Sequence, residues 1–117
     1  MKIGSIVIHC YHYEEMMAFW QKALHYIPRE TPTDSWVVLT DPMNQGPNIS
    51  LARMDEPRRG KRSRLHLDLY TKFQKTEVER LINIGARRYA WRYQPEDDFI
   101  VLADPDDNLF CVVQLPD

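Results

Sequence analysis

Hydrophobic and polar positions alternate over Arg64-Leu65-His66-Leu67-Asp68-Leu69-Tyr70, which puts the leucines on one face and Arg64, His66, Asp68 and Tyr70 on the other. A period of two predicts a half-buried strand. The period then lengthens. Val78, Leu81 and Ile82 fall on one stripe of a helix over about 72–84, and Gly85 suits its C-terminal stop. Strands are predicted over Arg87–Tyr93, Phe99–Ala103 and Leu109–Leu115, separated by the turn sequences Pro95-Glu96-Asp97-Asp98 and Asp104-Pro105-Asp106-Asp107-Asn108. The first half of the chain has the same order. Ile3–Cys10 predicts a strand, and Met16, Phe19, Trp20 and Ala23 stand at i, i+3, i+4, i+7 in a helix from about Tyr13 to Leu24. Tyr26–Glu30, Trp36–Leu39 and Asn48–Met54 supply three more strands.

The two halves also share wording. Val37-Val38-Leu39-Thr40-Asp41-Pro42 returns as Ile100-Val101-Leu102-Ala103-Asp104-Pro105, an offset of 63 (Asp41 to Asp104) in a chain of 117 residues. A repeat on that scale means two copies of one supersecondary unit. A half of about sixty residues buries too little surface to be stable alone. The expected fold is therefore α+β: one domain over 1–117 made of two βαβββ modules, about 1–56 and 64–117, with a linker over 57–63. Two curved, mixed four-stranded sheets are expected to form a cleft with the helices outside. The leucine face of the fifth strand must cover its helix, so His66 and Asp68 point the other way, to bare solvent or into that cleft. Two equivalent sheets curling together favour the cleft.

Composition narrows the function. A chain 44% hydrophobic and 27% charged is an ordinary globular mixture, not a disordered one. No apolar run approaches the ~20 residues that span a bilayer, and Met1-Lys2 runs straight into a strand pattern. A cytoplasmic protein without a membrane partner is expected. The net charge of −2 sets up no field that selects nucleic acid. Arg58, Arg59, Lys61, Arg62 and Arg64 form a basic cluster, but no aromatic residues are interleaved, so it is taken as a solvated linker and no nucleic-acid partner is expected. Cys10 and Cys111 fall on opposite predicted faces, which favours two reduced thiols over a disulfide.

Ala18-Phe19-Trp20-Gln21-Lys22-Ala23-Leu24, then Leu65-His66-Leu67-Asp68-Leu69, then Val101-Leu102-Ala103-Asp104-Pro105-Asp106-Asp107-Asn108-Leu109-Phe110-Cys111, set on a doubled βαβββ pattern, resemble the vicinal oxygen chelate superfamily. The likeness covers nearly the whole chain and is greatest to glyoxalase-like, bleomycin-resistance-type members. It implies that metal-using members place a ligand on the first and on the last strand of each unit. By spacing those positions fall on Ser5, Leu51, His66 and Cys111. Only His66 is a usual ligand. Cys111 replaces a glutamate, and a leucine cannot bind a metal. A hard cation needs oxygen and imidazole donors, so no cofactor is expected and a divalent metal is disfavoured. His25 and Asp107 stand where the family has glycine, which requires each to take a left-handed backbone conformation at some cost.

The expected ligand-binding residues are Ser5, His9, Trp36, His66, Asp68 and Cys111. By the repeat, Ser5, Val7 and His9 face the same cavity as His66. The preferred role for His66 and Asp68 is a hydrogen-bonded pair that orients a ligand. Two alternatives stay open. In one, His9 joins them in a facial metal triad. In the other, His66 and Asp68 are catalytic, the carboxylate favouring an imidazolium that works as acid or base. Nothing in sequence activates Cys111 as a nucleophile. His9-Cys10-Tyr11-His12 is a strand end followed by a helix entrance and not a metal cluster, since adjacent strand residues point apart. Trp36 and Trp91 either pack in the core or floor a pocket for a planar apolar molecule. Arg53, Arg64, Arg87, Arg88 and Arg92 are candidates to attract an anionic ligand. The leading expectation is a small-molecule binding protein, homodimeric like relatives of its size. The alternative is a lyase, isomerase or dioxygenase of the same superfamily that uses His66 as metal ligand or acid–base residue.

Overall fold

The computed structural model of the chain describes residues 3–57 and 65–117. The chain divides into two compact units, Met1–Arg59 and Gly60–Asp117. The first holds β1 (Ile6–Cys10), α1 (Tyr13–Leu24), β2 (Ile27–Pro28), β3 (Trp36–Thr40) and β4 (Ile49–Arg53). The second holds β5 (Leu67–Thr71), α2 (Gln74–Asn83), β6 (Arg87–Arg88), β7 (Phe99–Ala103) and β8 (Leu109–Gln114). Each forms a four-stranded mixed sheet, ordered β1-β4-β3-β2 and β5-β8-β7-β6. The first strand of each unit pairs parallel with the last and the remaining pairs are antiparallel. The fold is α+β, as the doubled pattern predicts.

Burial follows the two periods. On α1 the stripe Met16, Phe19, Trp20, Ala23 is buried with Tyr13, and Cys10, Leu39, Ile49 and Leu51 are buried in the same unit. In the second unit Val78 and Leu81 of α2 are buried, as are Leu102, Phe110 and Val112. Neither helix starts with a good capping side chain: His12 and Phe73 occupy those positions, and neither side chain caps. For α2 the missing acceptor comes from β8, where Gln114 Oε1 accepts from the Gln74 amide at 2.9 Å. At the end of α1 His25 sits at φ 58 and its amide donates to the Gln21 carbonyl. Asn44 (φ 55) and Asp107 (φ 65) take the same left-handed conformation in the two Asp-Pro turns. Both departures from glycine at His25 and Asp107 are thus accommodated. The aspartates that open these turns fold them by accepting backbone N–H bonds: Asp41 from Met43, Gln45 and Gly46, and buried Asp104 from Asp106 and Asn108.

The register corrects one correspondence drawn from spacing. Val38 aligns with Ser50 and Val7 in the first sheet, and Val101 aligns with Cys111 and Asp68 in the second. Ser50, not Leu51, is therefore the counterpart of Cys111. The cause is hairpin length. Leu39 pairs with Ile49, but Leu102 pairs with Phe110, so the first β3–β4 connection is two residues longer. Leu51 lies on the opposite face and is fully buried.

Several predicted strands are shorter than expected, Tyr26–Glu30 keeping only Ile27 and Pro28. Arg87–Tyr93 keeps only Arg87 and Arg88 in the ladder. Beyond them the Val101 amide, which a longer β6 would have bonded, donates instead to the Tyr93 phenol at 2.8 Å. Leu65 does not share the fate of Leu67 and Leu69. β8 begins at Leu109, immediately after the Asp104 turn, so pairing starts at Leu67–Phe110 and Leu65 stays 74% exposed.

Candidate functional site

Parallel pairing of β5 with β8 places Asp68 beside Cys111, and antiparallel pairing of β8 with β7 continues that row to Val101. His66 precedes β5 and meets Asp68 through its side chain, with Nε2 3.2 Å from Oδ1. Both side chains are about half exposed, at 55% and 46%. His66, Asp68 and Cys111 each offer a donor atom, and these three atoms lie within 4.8 Å of one another. Burial pushes the Cys111 thiol above its ordinary value, and the Asp68 charge adds to the effect. Cys111 is accordingly a protonated thiol at neutral pH and not an activated nucleophile.

The three groups sit in a hollow of about 690 Å³ on this face of the second sheet. The next row of the same sheet face, Tyr70, Val113 and Phe99, continues the lining, joined by Trp91 and Leu65. Trp91 meets Phe99 edge to face with centroids 6.5 Å apart, and Tyr93 leans on Phe99 at 5.9 Å. Asp98 adds a second carboxylate to the lining. A surface with an imidazole–carboxylate pair at one end and aromatic rings at the other can hold a flat molecule and hydrogen-bond its edge.

The other expected site residues belong to the first unit. Trp36 and His9 both pair with Ala52 and so share one face of that sheet, where both are exposed. The Ser5 hydroxyl hydrogen-bonds Ser50 and reaches the Asn48 carbonyl at 3.3 Å. The family's ligand positions are thus two mutually bonded hydroxyls in the first unit and an imidazole with a protonated thiol in the second. That donor chemistry does not fit a hard divalent cation. Both cysteines are thiols, Cys10 buried and Cys111 partly so. Of the arginines, Arg53 is engaged locally, pairing with Glu14 and stacking over Tyr13 at 4.8 Å. Arg87 pairs with Asp107. The basic cluster Arg58, Arg59, Lys61, Arg62 and Arg64 lies outside the described residues.

Sequence reasoning left Trp91 between core packing and a pocket floor and put it on a strand; it lines the hollow from the irregular segment after β6. Phe99 was missed. The 63-residue offset carries Trp36 onto Phe99, so the repeat held the signal.

Sequence and fold comparisons point the same way. A glyoxalase-like domain family profile matches residues 5–113. No curated protein shows a significant sequence match. Among solved structures, a glyoxalase/bleomycin resistance protein/dioxygenase family enzyme from Burkholderia phytofirmans superposes with a TM-score of 0.78 at 18% identity, covering 99% of this chain and 100% of its own. A genomically encoded fosfomycin resistance protein from Listeria monocytogenes gives 0.76 at 15% identity, over 98% and 91% of the two chains. A mutant of that Listeria protein complexed with Mn(II) and a dihydroxypropylphosphonic acid gives 0.75 at 16% identity, over 96% and 88%. With the profile spanning nearly all of its length and the doubled βαβββ fold in place, the chain belongs to the glyoxalase-like domain family of the vicinal oxygen chelate superfamily.

Proposed function

We propose that the protein binds a small molecule in the hollow of its second unit, and that the ligand is a flat, largely apolar molecule with a hydrogen-bonding edge. One observation carries this reading: the His66–Asp68 pair, 3.2 Å apart, shares with Trp91 and Phe99 the lining of a hollow of about 690 Å³. A volume of that size suits a drug-sized ligand. Rings supply contact area at low entropic cost, and the paired polar groups fix orientation. Binding and sequestration of this kind need no hard-cation centre, in keeping with the degenerate family ligand set. The protein is proposed to work as a cytoplasmic homodimer, with neither nucleic acid nor membrane as partner.

The test is a panel of planar heteroaromatic probes followed by tryptophan emission. Quenching is expected to saturate, to disappear in Trp91→Phe, and to require roughly tenfold more probe in Asp68→Ala. Equal affinity in the parent, Trp91→Phe and Asp68→Ala proteins would remove the hollow as the binding site.

A second reading has its own support in the His66–Asp68 contact. In an isomerase or lyase the His66 imidazole would take or return a proton beside a substrate carbonyl, and Asp68 would orient the ring and stabilise its cation. It requires His66→Ala to abolish turnover while the circular dichroism spectrum stays unchanged. A variant that kept full turnover would exclude the role.

A further inference from the structure

We propose that His66, Asp68 and Cys111 form a three-ligand site for a thiophilic divalent metal ion, zinc above all, with its fourth coordination position open to the hollow. The donors are one imidazole nitrogen, one carboxylate oxygen and one sulfur, all within 4.8 Å of one another. Mixed nitrogen, oxygen and sulfur sets with a vacant position are characteristic of zinc, whereas magnesium, manganese and calcium select oxygen-rich shells.

The geometry supports the assignment independently of donor type. Asp68 and Cys111 are register partners on adjacent parallel strands, and His66 stands two residues before Asp68, so regular pairing fixes the backbone of two ligands and abuts the third. Two ligands at about 2.0–2.1 Å from a tetrahedral zinc stand about 3.3–3.4 Å apart, and His66 Nε2 lies 3.2 Å from Asp68 Oδ1. The existing pair approximates one edge of the tetrahedron, and binding must draw the sulfur, now within 4.8 Å of the other two donors, to about 3.5–3.6 Å from them. On binding, Cys111 gives up its proton to solvent, and the thiolate and carboxylate together neutralise the ion. Among the described residues no lysine or arginine lines the hollow to compete for these donors.

The site differs from the family's four-position pattern in two ways: all its ligands come from one repeat, and Asp68 is not among the family positions. It also departs from the expectation that disfavoured a divalent metal, which rested on the failure of a hard-cation set. The site shares the hollow of the binding reading but does not depend on it, because the metal alone is the probe.

The experiment is a Co2+ titration of tag-free, chelator-treated protein. A saturable sulfur-to-cobalt charge-transfer band in the near ultraviolet is expected at one equivalent, with intense visible bands of a four-coordinate ion, both removed by Zn2+. The charge-transfer band should persist in Cys10→Ser and vanish in Cys111→Ser. Asp68→Asn and His66→Gln should each weaken Co2+ binding roughly tenfold or more. Circular dichroism of each variant establishes that it folds. Absence of a thiolate band at saturating Co2+, or its survival in Cys111→Ser, overturns the proposal. Probe binding to metal-free protein is read separately by tryptophan emission, so either reading can fail while the other stands.

Discussion

At the scale of single residues, the backbone conformation of His25 is a liability with a defined size. A side chain in the left-handed region costs about 1–2 kcal/mol, whereas glycine there loses about 0.5–1 kcal/mol of that advantage to its freer unfolded state. The steric term wins, so His25→Gly should raise stability by about 0.5–1 kcal/mol, read from the urea midpoint. A second prediction concerns Cys111. Burial is the larger cause of its raised pKa and Asp68 the smaller. Asp68→Asn should shift the pH profile of thiol alkylation downward in a Cys10→Ser background, and an unmoved profile would show that the carboxylate does not act on the sulfur. The identity of these site residues was legible from alternation alone, since His66 and Asp68 share the polar face of a period-two strand. Cys111 was named with them from the family spacing, but its direct pairing with Asp68 was not legible, because it depends on which residue of β8 lies opposite Asp68.

Among the elements, α2 shows how a poor local sequence is rescued by tertiary structure. Phe73 cannot cap, and Gln114 of β8 accepts the first helical amide while its Nε2 donates to the Lys72 carbonyl at 2.8 Å. Gln74 returns the tie, donating to the Asp98 and Val112 carbonyls at 2.9 and 2.8 Å. Gln114→Ala should cost about 1–2 kcal/mol by urea denaturation, within the range of a lost cap. Gln114→Glu, which keeps an acceptor but loses the donor, should fall between. Both helices and the order of all eight strands could be read from periodicity. The truncation of β6 could not, because it turns on a phenol reaching across eight residues from Tyr93 to Val101. Such a substitution for a backbone partner leaves no periodic trace.

For the whole molecule, the shifted groups bracket a pH window. Asp41 is held below its ordinary 3.8, chiefly by the Met43 amide and then by those of Gln45 and Gly46. Glu14 is held below 4.5 by its own backbone amide and then by Arg53. Their stabilisation is complete above those ordinary values and is lost as pH falls through the lowered ones. Cys111 is raised above 9.0 and Tyr13 and Tyr26 above 10.0, mainly by burial. Their contribution is complete below 9.0 and is lost as pH rises through the raised values. Stability should therefore be level between the two limits and fall on both sides, with Asp41→Asn flattening the acid limb of a thermal-melt series. The proposed homodimer predicts a sedimentation-equilibrium mass near twice 13.9 kDa, and a monomer mass would remove it. Hairpin length has a last implication. The two copies of the β3–β4 connection differ by two residues, and a strand turns over with every single step. Evolution, or an engineer, can lengthen or trim these loops in pairs without disturbing which side chains meet. One odd insertion before β8 would swap Cys111 for an oily neighbour and erase the site while leaving the fold's silhouette untouched.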